Sequence, residues 1–135
     1  MSASNNGEAD ILALIFKSGG NPWSADANFY VSLHTGDPGE GGGQDTSEAN
    51  YASYARVAVS RTTGFSVSAN VAFNVGAIAF PAATGGSSTL THFGIGTTAT
   101  GAGRLLFSGA LTGSLAVSSG ITPQFGTDQL RITCD

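Results

Sequence analysis

The stretch FYVSLHTGDPGEGGGQDTSE, residues 29–48, decides how the chain is read. Phe29, Val31 and Leu33 alternate with Tyr30, Ser32 and His34, the period of two that a β-strand with one buried face requires. Asp37-Pro38-Gly39 then makes a turn: proline presets φ at the first central position and glycine supplies a positive φ at the next. The glycine-rich continuation raises the question of a ligand. A phosphate loop ends in Lys-Ser or Lys-Thr at the start of a helix and directs a positive field at the anion. This loop has no lysine and carries Asp37, Glu40, Asp45 and Glu48, so it repels phosphate. Its carboxylates have the hard-oxygen chemistry of calcium ligands, but their spacing is not that of an EF-hand. The expectation for residues 36–50 is a turn followed by a mobile surface arm that orders, if at all, against a partner.

Outward from this stretch the chain continues as short runs with β character, separated by Gly, Ser, Thr, Asn and Pro. Val57 and Val59 alternate with Arg56, Ala58 and Ser60, and Phe65 and Val67 follow the turn RTTG. In VAFNVGAIAFP the apolar set Val71, Phe73, Val75 shifts to Ile78 and Phe80 across Gly76, the mark of a bulge or bend. LTHFGIG, RLLFSGAL, SLAVS, ITPQF and QLRITC complete eight or nine strands with no helix between them. That pattern predicts an all-β, antiparallel sandwich with jelly-roll-like or Greek-key connections. Helical periodicity occurs once, in NNGEADILALIFKSGG, where Ile11, Leu12, Leu14 and Ile15 recur and Gly19-Gly20 stops the run. Residues 1–27 are therefore read as an N-terminal helical docking segment and residues 28–135 as the sandwich, within a single domain. A helix of about ten residues is marginal alone, so its apolar face must dock, on its own sheet or on a neighbouring subunit.

At 135 residues the chain is long enough to bury a real core. Charged residues make up 10% and glycine 20 positions, about twice its usual ~7% share, which implies many turns and little charged surface. Net charge is −4, and the five cations, Lys17, Arg56, Arg61, Arg104 and Arg131, stand singly. A nucleic-acid partner needs clustered Lys and Arg, so none is expected. No apolar run reaches the ~20 residues of a membrane helix, and the N-terminus lacks the pattern of a signal peptide, so no membrane is expected and synthesis is placed in the cytoplasm. A lone Cys134 forms no intramolecular disulfide and is read as an inert strand end.

The residues that carry chemistry elsewhere do not assemble into a motif here. His34 and His92 fall on different strands and have no third ligand at zinc spacing. The serines FSGAL and SSGIT lack the nucleophile-elbow pattern, and no pair of carboxylates is aligned for acid–base work. The expectation is no enzyme, no metal and no cofactor. Trp23 is read as a core aromatic linking helix and sheet, with exposure at an interface as the alternative.

Taken together, FYVSLHTGDPGE, YARVAVSR, NVGAIAFPAATGG, LTHFGIGT, GAGRLLFSGALT and SLAVSSGITPQF resemble a family of small structural proteins of tailed bacteriophages. The likeness runs over residues 28–132 and lies in the order of the motifs. It implies a virion component and supplies no catalytic residues. The leading expectation is a capsid decoration, or cement, protein on the outside of the head, made in the host cytoplasm, that binds the major capsid protein of the same phage. Cement of this kind stabilises the assembled shell by mass action. Self-association, as a trimer, follows from the local symmetry of such shells and not from the residues. The alternative is a tail-fibre or tail-tip module that binds a host receptor through an aromatic platform of Trp23, Tyr51 and Tyr54. Partner contacts are placed at Ile11, Leu14, Ile15 and Trp23 of the N-terminal segment, and at Asp37, Pro38, Glu40, Tyr51 and Tyr54 in and beside the acidic loop.

Overall fold

The alternation at residues 28–34 does form a strand, and both of its faces are buried. In a computed structural model describing residues 2–18 and 21–134, the elements are β1 (Ser2–Ala3), α1 (Asn5–Phe16), β2 (Asn28–His34), β3 (Val57–Ser60), β4 (Phe65–Ser68), β5 (Val71–Asn74), β6 (Ile78–Ala79), β7 (Ser88–Gly96), β8 (Leu105–Val117), β9 (Gln124–Phe125) and β10 (Arg131–Thr133). All pairings are antiparallel. The main sheet has the order β1-β8-β7-β2-β3; β10-β5-β4 and β6-β9 form two smaller sheets. The chain is an all-β antiparallel sandwich with one helix. The main sheet packs against the two smaller ones through a single apolar cluster, in which Val31, Leu33, Phe93 and Ile95 meet Ile78 and Ile132.

Register explains that cluster. β2 and β7 place Val31 opposite Ile95 and Leu33 opposite Phe93, so one face of both strands is wholly apolar. The other face pairs Tyr30 with Gly96, Ser32 with Gly94 and His34 with His92. The change of apolar face at Gly76 is a change of sheet. β5 leaves the three-stranded sheet at Asn74, the chain bends, and Ile78 enters the two-stranded sheet against Phe125. Buried Asn74 holds this corner, donating to the carbonyls of Gly76 (2.8 Å) and Gly126 (2.9 Å) while its Oδ1 accepts from Leu130 N–H (2.9 Å).

α1 starts where the periodicity places it, with Ser4 as its N-cap: the hydroxyl accepts from Gly7 N–H at 3.1 Å. Of the two docking surfaces left open by the sequence, the chain's own sheet does not take most of the helix's apolar residues. The residues buried are Gly7 and Asp10, whereas Leu12, Leu14, Ile15 and Phe16 all face outward.

Candidate functional site

The second face of β2 is covered by the acidic loop. Gly94 and Gly96 leave a trough there; a Cβ on Gly96 would lie 2.1 Å from Gln44 Cδ, and one on Gly94 would lie 2.7 Å from Ser32 Oγ and 2.8 Å from His34 Nε2. Gln44 fills the trough completely buried. Its Oε1 accepts from Thr98 N–H (3.0 Å) and Thr98 Oγ1 (3.2 Å), and its Nε2 donates to Tyr30 O (3.4 Å). Residues 36–50 are thus not the loose arm expected from their composition: a single amide side chain plugs them into the sheet. Pro38 is buried with them, while Asp37 and Glu40 are exposed.

Beside the plug lies a constellation that imitates catalysis. Ser32 Oγ and His34 Nε2 are 2.8 Å apart, and His34 Nδ1 is 2.8 Å from Thr46 O. Because a carbonyl only accepts, Nδ1 carries the proton and Nε2 accepts from the serine hydroxyl, the polarity of a nucleophile–base pair. Both residues have 0% exposure, and the contacts of Gly94 leave no volume beside the hydroxyl for a substrate. The pair pins the loop at Thr46. Burial pushes the His34 pKa down, against the opposing pull of the Thr46 carbonyl and the Glu48 charge, so the ring is neutral. His92 is the direct cross-strand neighbour of His34 and bonds through Nδ1 to Thr91 Oγ1 at 2.8 Å.

The loop ends on an ion pair that composition gave no reason to expect. Arg56, its side chain 2% exposed, grips Glu48 with two bonds (Nε–Oε1 2.7 Å, Nη2–Oε2 2.8 Å) and also donates to the carbonyls of Thr98 and Gly101. Tyr54 OH donates to the same carboxylate at 2.8 Å and accepts from Leu33 N–H at 3.1 Å; burial pushes its pKa well above the usual phenol range. Tyr51, 2% exposed, donates to Pro81 O at 2.9 Å and packs edge-on against Tyr54. Among the described residues no three His, Cys, Asp or Glu side chains converge as a metal site would require.

A second clasp fixes α1. Asp10, nearly buried, accepts from Arg104 (Nη2–Oδ1 2.8 Å, Nε–Oδ2 3.0 Å) and from Trp23 Nε1 at 2.6 Å. Gly7 lies against the backbone of β8 so closely that a Cβ would sit 2.2 Å from Leu106 O. Trp23 therefore links helix and sheet: it stands edge-on to Phe29 at 5.4 Å, with the Arg61 guanidinium 5.0 Å from its ring. The aromatic platform of Trp23, Tyr51 and Tyr54 is not assembled on the surface. Trp23 and Tyr51 are buried, and Tyr54 is half-buried with its hydroxyl consumed by Glu48 and Leu33.

Clasping the helix by its polar flank leaves its large apolar side chains in solvent: Leu12 (57% exposed), Leu14 (55%), Ile15 (66%) and Phe16 (77%). An apolar groove of about 340 Å³ has Ile11 on its helix side, Phe65, Val67 and Val71 on the sheet side, and Phe29 and Phe107 among its other lining residues. Of the contacts expected from sequence, Leu14 and Ile15 are exposed and Ile11 lines this groove.

The match to known proteins falls on this whole assembly of sandwich, clasped helix and plugged loop. The family described as "Podophage GP4 fiber I protein gp80" matches residues 2–133. The chain belongs to that family. It is a family of phage virion structural proteins, so the resemblance carried by the order of the strand motifs is borne out, and the match extends it through the N-terminal helix. No curated protein matches the chain. Sequence reading of this family member missed Gln44, Arg56 and Asp10. Only the plug had a visible signal, the alternation of Phe93 and Ile95 with Gly94 and Gly96, which marks one crowded face.

Proposed function

We propose that this chain is a structural subunit of a phage fibre, an interaction module without catalysis that joins neighbouring virion proteins through apolar and hydroxyl-rich surface. Its family description names a fibre protein. The observation that carries the reading is the fate of the charges. All four arginines are spent inside the chain: Arg56 on Glu48, Arg104 on Asp10, Arg131 on Asp128, and Arg61 on the carbonyls of Trp23, Ser24 and Asp26. With its arginines engaged internally and charged residues only 10% of the chain, the surface offers little free positive charge and meets its partners largely by shape and apolar burial, as stable assemblies do.

The head-decoration role, in which the partner is the major capsid protein, is the second reading. A small sandwich without an internal repeat is the shape of a cement protein as well as of a fibre module. Immunogold labelling of intact virions tests both. Label on lateral or tail appendages is the expected result; label distributed over the head refutes the fibre reading and establishes decoration.

A further inference from the structure

We propose that the apolar groove binds an aliphatic monocarboxylate of about ten to twelve carbons, its chain lying between the two layers of the sandwich and its carboxylate on Arg61.

The groove is a gap between sheets. Phe29, Ile95 and Phe107 come from β2, β7 and β8 of the main sheet, and Val67, Val71 and Ile132 from β4, β5 and β10 of the facing one. Ile95 and Ile132 belong to the buried core cluster, so a chain entering the groove reaches the core itself. Of the thirteen lining residues, only Arg61, Asn70 and Cys134 carry a polar side chain. Asn70 is tied to Cys134, whose N–H donates to Asn70 O at 2.9 Å and whose carbonyl accepts from Asn70 Nδ2 at 3.2 Å.

Arg61 supplies a charge that nothing neutralises. Among the described residues it is the one arginine without a carboxylate partner. Arg56 and Arg104 each grip a carboxylate with the same two nitrogens, Nε and Nη2. In Arg61 those two have no acceptor among the described residues, because the carbonyls of Trp23, Ser24 and Asp26 all take Nη1. The Trp23 and Phe29 rings, 5.0 and 4.8 Å from its central carbon, hold the guanidinium in place without using its in-plane hydrogens. A fixed guanidinium with that fork open matches a carboxylate through two parallel hydrogen bonds.

A hydrocarbon chain suits the rest of the groove better than a peptide does. An extended peptide brings an N–H and a C=O with every residue, and the apolar walls leave them unpaired, whereas an aliphatic acid has one polar end. A cavity of about 150 Å³ holds one benzene, so 340 Å³ holds about twelve carbons. The acid is a free molecule and not part of a bilayer, because an interfacial helix carries a Lys- and Arg-rich face and α1 has Glu8 in its first turn and no basic residue in its last.

Isothermal titration calorimetry of the full chain with decanoate, kept below its micelle concentration, tests the proposal. Decanoate should saturate one site with a Kd of about 100 µM, within reach of a ligand of this size. Octanoate should bind about 10-fold more weakly for the two methylenes lost, and decyltrimethylammonium, with the same chain and the opposite charge, at least about 10-fold more weakly. Val67→Glu, at a 72%-exposed position on the groove wall, should weaken decanoate at least about 10-fold while circular dichroism shows the fold intact. Arg61→Gln should remove the preference for decanoate over decyltrimethylammonium. Decanoate that fails to saturate by about 1 mM, ten times that Kd, overturns the proposal. So does decyltrimethylammonium binding the wild type as tightly as decanoate. Tighter binding of N-acetyl-leucyl-phenylalanine, a peptide acid of the same charge, also overturns it and assigns the groove to a peptide. These three results need only the wild-type chain, and they are independent of where gold label falls on the virion.

Discussion

Replacing Gly7 with alanine should destabilise this protein, although the same change in a helix ordinarily stabilises by about 1 kcal/mol. The reversal follows from one distance. The new Cβ would sit 2.2 Å from Leu106 O and 3.0 Å from Leu106 C, against the ~3.4 Å of ordinary contact. Leu106 is 2% exposed and belongs to β8 in the main sheet, so the obstacle is backbone that cannot rotate aside. The helix must retreat by about 1 Å. Overpacking of this kind costs about 1–3 kcal/mol. The retreat also stretches the Asp10–Arg104 pair (2.8 and 3.0 Å) and the bond from Ser4 N–H to Leu106 O (2.9 Å), each contributing about 1 kcal/mol. With the gain in helix propensity set against these losses, G7A should lose about 2 kcal/mol. In urea titrations that lowers the midpoint by about 1 M. Ala9→Gly, at an exposed position of the same helix, is the control and should cost the ordinary ~1 kcal/mol. A G7A protein more stable than wild type refutes the close packing of α1 on β8.

Gly96→Ala should expel Gln44, whose Cδ lies 2.1 Å from the new methyl, cost about 2–3 kcal/mol, and make residues 36–50 the first site cut in limited proteolysis. Arg56→Met should cost about 3–5 kcal/mol by leaving the Glu48 carboxylate nearly buried and unpaired, and the double variant Glu48→Gln/Arg56→Met should recover part of that in thermal melts. Stability should also fall with acid through His34. Its pKa is lowered from 6.5 on folding, so below pH ~6.5 the unfolded chain binds the proton that the folded chain refuses, and stability declines by up to about 1.4 kcal/mol per pH unit until the folded pKa is reached. His34→Gln should flatten this slope in urea titrations between pH 7 and 5.

The strands were legible in the sequence because period-two alternation and turn chemistry are local. Phe29, Val31 and Leu33 predict their shared face, and Asp37-Pro38-Gly39 its exit. The face shift at Gly76 was equally visible, although the structure makes it a corner between two sheets and not a bulge within one strand. The acidic loop was misread because glycine and carboxylates are the composition of a solvated arm. What holds it is Gln44 against Thr98, 54 residues away, and Arg56 against Glu48 and Gly101.

Sequence alone determined the all-β class, the single N-terminal helix and the phage structural family, because those depend on short-range periodicity and on the order of motifs. Tertiary structure alone decided which side of the helix is buried. Periodicity marks Ile11, Leu12, Leu14 and Ile15 as the face that must dock, and does not say on what. The fold sends Gly7 inward instead, because only a residue without a Cβ admits the β8 backbone at that distance, and Asp10 follows because Arg104 and Trp23 satisfy its carboxylate. The large apolar side chains of α1 stay in solvent because close backbone approach and a satisfied buried charge fix which side of the helix meets β8.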